Sequence, residues 1–114
     1  MINNARPSIL QLDSIKNEQI KMILEHYGEE HQRMKACEEL AELQVEIFHN
    51  SSVDVVDSND AYDKVLSEIA DVYIMLEQLV KIYNILKSDI DKAMTLKLRR
   101  TEDRILAKKE RNHT

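Results

Sequence analysis

Helix breakers are almost missing from this 114-residue chain, which holds a single Gly, a single Pro, and Leu, Ile, Glu and Lys as its most frequent residues. Sheets need punctuation by Gly, Pro and other turn residues, so this scarcity excludes a strand-rich fold and predicts an all-α one. Cysteine is represented by Cys37 alone, which rules out an intramolecular disulfide. There is no Trp and only one Phe beside four Tyr. A small helical layer with so few aromatics buries little surface by itself, and small domains bury a smaller fraction of their surface than large ones, so self-association is expected. Long apolar runs are also missing. Even Val65 to Leu86 is interrupted by Glu68, Asp71, Glu77 and Lys81, well short of the roughly 18 uninterrupted apolar residues of a membrane span. An excess of basic charge is lacking too: the net charge of -5 excludes non-specific binding to nucleic acid, which depends on Lys and Arg neutralising phosphates. The start MINNARPSIL has neither the charged beginning nor the apolar stretch of a signal peptide, and the cytoplasm is the expected location.

What is present is helical patterning over the length of one domain. Residues 1–12 carry the Pro and little periodicity and are read as an N-terminal arm; residues 13–110 form one helical domain, and 111–114 a tail. Asp13 or Ser14 caps a first helix that runs to about Tyr27, with Ile15, Ile20, Ile23 and Leu24 on its apolar side, and Gly28 ends it. A second helix, about Glu29 to His49, carries a broad stripe from Met34 to Ile47. NSSVDVVDSND, residues 50–60, has the composition of a linker. Ser58, Asn59 or Asp60 then caps a third helix ending near Tyr83, and Ser88 with Asp91 has the spacing of a capping box for a fourth.

The chemistry resides in two acidic pairs. Residues three apart on a helix are neighbours, so Glu39 and Glu42 in EELAEL form one carboxylate pair and Glu68 and Asp71 in SEIADVY another. Glu46 extends the first pair by a turn, while Glu38 lies about 100° around the helix from Glu39. Such pairs on a Glu-rich chain are commonly a solvated face. Helix three, however, is apolar almost all round, from Val65 to Val80, so Glu68 and Asp71 lie beside buried surface. There a carboxylate must be protonated, paired with a base or bound to a cation. Lys64 and Lys81 are near in sequence, yet neither is placed to serve both acids. Four oxygen donors without a convergent His or Cys suit Mg²⁺, with Mn²⁺ as a substitute. A di-iron bundle requires two Glu-x-x-His steps, and only Glu46 with His49 supplies one.

Glu39-x-x-Glu42, 25 intervening residues, and Glu68-x-x-Asp71, in the contexts KACEELAEL and LSEIADVYIML, resemble the signature of the MazG-like all-α nucleotide pyrophosphohydrolases, relatives of the dimeric dUTPases. The resemblance spans roughly residues 15 to 105 and lacks the second domain of larger members. It implies a four-helix, oligomeric MazG-like bundle that hydrolyses a nucleoside triphosphate between its α- and β-phosphates, with Glu39, Glu42, Glu68 and Asp71 as magnesium ligands. Glu38, Glu42 or Glu46 would activate the water, a choice the sequence leaves open. Lys97, Arg100 and Arg104 form a basic stripe on the last helix, placed by the resemblance near the phosphates or, read alone, forming a solvated face. Phe48 or Tyr73 can stack on a base, although aromatics on apolar helix faces mostly pack in cores. The alternative function is a non-catalytic helical dimerisation or interaction module.

Overall fold

The computed structural model describes residues 12–50 and 59–112, which form four helices and no strand: α1 (Ser14–Tyr27), α2 (Glu29–Asn50), α3 (Asn59–Tyr83) and α4 (Lys87–Asn112). The arm up to residue 11, the linker at 51–58 with its candidate cap Ser58, and the last two tail residues lie outside the described residues.

The helix ends follow local chemistry. Of the two candidate caps, Asp13 holds α1: its Oδ1 accepts the Lys16 backbone N–H at 2.7 Å, and this bond lowers the Asp13 pKa. Gly28 serves both neighbours, donating its N–H to Leu24 O at 2.9 Å and accepting the Gln32 N–H at 3.0 Å. Its φ of 88° and ψ of 158° are open essentially to Gly alone, which accounts for the one Gly of the chain. Asn84, at φ 57°, closes α3 as a Schellman turn, with Ile85 N–H donating to Val80 O at 3.0 Å. α4 then opens earlier than the Ser88 capping box predicts. Leu86 O accepts from Asp89 and Ile90, so Ser88 already stands in the first turn.

α2 and α3 pack along their length and α1 lies against both, burying Ile20, Leu24, Ala36, Ala61, Val72, Met75 and Val80. The fourth helix departs from the expected bundle: α4 buries none of its residues and shares no comparable packing with the other three. The resulting shape is extended, with a radius of gyration of 18.4 Å, against about 13 Å for a compact domain of this length. α3 is likewise apolar beyond what one chain covers, since Leu66, Ile69, Tyr73 and Ile74 remain exposed.

Candidate metal centre

Pairing between α2 and α3 follows a regular register. Gln32, near the start of α2, donates through Nε2 to Gln78 Oε1, near the end of α3, at 2.8 Å. Seven residues onward in α2 and seven back in α3, Glu39 faces Asp71 closely enough that its charge raises the Asp71 pKa. Three more in each direction bring Glu42 to Glu68. Equal steps in opposite directions define an antiparallel pair, and steps of seven and three keep these residues on the facing sides of both helices. The two acidic pairs therefore face each other within one chain.

Carboxylate oxygens of Glu39, Glu42 and Glu68 lie within 4.8 Å of one another. Asp71 lies beside Glu39, at the edge of that trio. Glu39 is only 7% exposed and Glu68 half-buried, and the Oε2 atom of each is shielded from solvent without any hydrogen-bond partner. Burial raises the Glu68 pKa, and the charges of Glu42, Asp71, Glu39 and Glu46 raise it further. Asp71 is raised by burial first and then by Glu39, with Lys35 opposing.

The bases near in sequence are engaged elsewhere. Lys64 pairs with Asp60 at 3.3 Å, and Lys81 with Glu77 at 3.4 Å in a buried pair. Among the described residues, the cation that reaches the acids is Lys35, 3.2 Å from Glu39 Oε1 and 3.8 Å from Glu38 Oε2. Its own pKa is raised, chiefly by the hydrogen bond to Glu39. Sequence reasoning missed Lys35, although its position four residues before Glu39 was the signal for an ion pair on one face. Four carboxyls against one ammonium leave a site of strong negative potential, and two orphaned oxygens give it spare ligand capacity. Three carboxylates converging on one point fit a hard divalent ion, whose bonds to oxygen are about 2.1 Å for Mg²⁺.

Glu46 and Glu38 flank the trio on opposite sides. Glu46 borders a hollow of about 290 Å³ together with Glu42 and Glu68. Glu38 borders a second, of about 370 Å³, whose wall includes Glu39 and Asp71. Lys97, Arg100 and Arg104 border neither and are exposed on α4. His49, the di-iron candidate, is exposed in the last turn of α2.

Phe48 is 78% exposed and Tyr73 about half-exposed, so neither is core in the single chain. The aromatic residues beside the acids are Tyr27 and His31, stacked with centroids 5.0 Å apart. Gln32 and Gln78 were also missed, because a polar amide on a helix carries no sign of burial until its partner on the facing helix is known. The larger hollow, about 680 Å³, is an apolar recess between α1 and α3 and meets Glu77 rather than the acidic trio. Compared with protein families, curated proteins and solved structures, the chain matches none.

Proposed function

We propose that the chain is a Mg²⁺-dependent nucleoside triphosphate pyrophosphohydrolase, releasing a nucleoside monophosphate and pyrophosphate in cytoplasmic nucleotide-pool housecleaning. The observation that supports this reading is the pair of buried, unpartnered oxygens on Glu39 and Glu68 within a trio of converging carboxylates. Uncompensated buried acids cost stability, and a divalent cation offsets that cost. The ion, once bound, supplies neutralisation of phosphate charge and a more acidic coordinated water.

In this reading Glu39, Glu42 and Glu68 hold the ion, and Mn²⁺ can replace Mg²⁺. Asp71, facing Glu39 at the edge of the trio, completes the ligand set. Among the candidate bases Glu38, Glu42 and Glu46, Glu46 has the best position, because it opens onto the same hollow as two of the ligands while Glu38 lies toward Lys35. Geometry first and protonation state second decide such a role.

Phosphate contact by Lys97, Arg100 and Arg104 requires α4 to meet an acidic trio other than by folding back in its own chain as described. A dimer or tetramer supplies that meeting. The chain exposes 9102 Å², whereas a compact monomer of its mass exposes about 6,450 Å², an excess of roughly 2,650 Å². That excess is of the order buried in stable protein interfaces. Pyrophosphate release from a panel of canonical and modified nucleotides, with Mg²⁺ and with Glu42→Ala in parallel, tests the function. Turnover by the parent chain and its loss in the variant are expected; no turnover of any nucleotide, with divalent-ion binding unaltered by Glu42→Ala, contradicts it.

The exposed apolar residues Leu66, Ile69, Met94, Leu98 and Ile105 favour a second reading, a helical interaction module without chemistry. An unfolding midpoint insensitive to Mg²⁺, together with concentration-dependent association, would select it.

A further inference from the structure

The hollow beside Glu39 and Asp71 contains a polar relay that the metal site does not use. His31 Nδ1 lies 2.7 Å from Gln32 Oε1, and because an amide oxygen only accepts, that nitrogen carries the proton. Gln32 Nε2 in turn donates to Gln78 Oε1 at 2.8 Å. Gln78 Nε2 ends the relay, and its acceptor among the described residues is the thioether sulfur of Met75 at 3.6 Å. A thioether is a weak acceptor, and an amide nitrogen has two N–H groups to offer. Gln78 is 1% exposed yet borders the hollow, so a buried amide with spare donor capacity lines a recess next to the acids. Ile23, Ile74 and Met75 give the recess apolar walls, and Tyr27 stands at its side half-exposed. At about 370 Å³ it falls within the usual range of small-molecule sites, about 300–1,000 Å³, and its charged lining, Lys35, Glu38, Glu39 and Asp71, lies on the side of the acidic seam.

We propose that this recess seats the base of the nucleotide, with Gln78 Nε2 donating to a ring carbonyl oxygen and Tyr27 covering one face. The proposal rests on the nucleotide reading above. The donor polarity of the relay selects the substrate class: uracil, thymine, cytosine, guanine and hypoxanthine each present a carbonyl oxygen, and adenine presents none. Leaving Gln78 unsatisfied opposite adenine costs about 10- to 100-fold in kcat/KM. From the recess the sugar and phosphates run past Asp71 and Glu39 to Glu42 and Glu68, along the register of the two helices.

Steady-state kinetics of the full chain with Mg²⁺, on dUTP, dCTP, dITP, dATP and the deoxy triphosphate of unsubstituted purine, test the proposal. dITP and the purine analogue differ at the carbonyl position. The keto bases are expected to exceed dATP and the purine analogue by about 10- to 100-fold, and Gln78→Met to shrink this ratio to about threefold or less. Mn²⁺ binding, followed by electron paramagnetic resonance, stays unchanged in that variant. Tyr27→Leu, a change at an exposed residue, is expected to raise KM severalfold for every base with kcat kept, and it decides the matter if Gln78→Met does not fold. Turnover with equal rates for dITP and the purine analogue, or Tyr27→Leu with an unaltered KM, overturns the base seat and leaves the pyrophosphohydrolase reading standing. No turnover of any nucleotide by the parent chain removes both.

Discussion

Glu39→Gln separates metal binding from folding better than any other single change. The amide keeps the shape of the side chain and removes one negative charge from the trio with Glu42 and Glu68. In the cation-free protein two effects oppose. The 3.2 Å pair with Lys35 is lost, but its Lys35 side chain is 43% exposed, so the loss is about 0–1 kcal/mol. Repulsion on Asp71 and Glu68, both raised in pKa partly by Glu39, is relieved. The cation-free variant should melt within a few degrees of the parent chain. Binding is another matter. A ligand held only by the native state, at about 100 times its Kd, stabilises by about 2.7 kcal/mol. With an unfolding entropy of about 2.1 cal/mol/K per residue over the chain, that becomes a rise in Tm of about 11 °C. Differential scanning calorimetry with and without Mg²⁺, at fixed protein concentration, should show this rise in the parent and lose it in Glu39→Gln. An equal rise in both proteins, or none in the parent, would refute the assignment of Glu39 as a ligand.

Further expectations concern charge, backbone and the fourth helix. Glu68 and Asp71 have folded-state pKa values above 4.5 and 3.8, so in the window above those values the native state binds more protons than the unfolded chain. Without a cation, stability contributed by these groups therefore falls as pH rises from about 4 through the raised values. Urea melts across that range should show the fall in the parent, its absence in Glu68→Gln/Asp71→Asn, and its suppression by saturating Mg²⁺ in the parent alone. Lys81→Met removes the 3.4 Å ion-pair partner of the buried Glu77 and should lower stability in the same melts. Gly28→Ala should cost about 1–3 kcal/mol, because at φ 88° the backbone alone resists a side chain, with nothing within 4 Å of the added Cβ. Lys97→Glu/Arg104→Glu, on the exposed face of α4, should leave the melting point within about 2 °C while raising KM for nucleotides; an unchanged KM removes both residues from phosphate binding.

Much of the fold was legible because it depends on local signals. The lone Gly marks the junction of α1 and α2, Asp13 marks the start of α1, and Asn84 lies where α3 ends. The acidic pairs were legible for the same reason, since spacing by three on a helix fixes a shared face. That they meet across α2 and α3 follows from the antiparallel register, which Gln32 and Gln78 fix by a contact between residues 46 positions apart. No periodicity encodes such a contact. Lys35 pairs with Glu39 through a one-turn spacing that any Glu-rich helix offers, and Asp71 stands at the edge of the trio, beside Glu39 on the wall of the neighbouring hollow. α4 shows the limit of amphipathic patterning: Met94, Leu98 and Ile105 form a stripe that stays exposed. A stripe announces that a helix packs and is silent on whether the partner belongs to the same chain.

In the proposed function the acidic seam hydrolyses a nucleotide between its α- and β-phosphates. Chromatographic analysis of products from a deoxynucleoside triphosphate incubated with Mg²⁺, parent chain against Glu39→Gln, tests it most directly. Monophosphate and pyrophosphate in equal amounts from the parent, and neither from the variant, are predicted; release of orthophosphate with diphosphate, or equal product from both proteins, would contradict it.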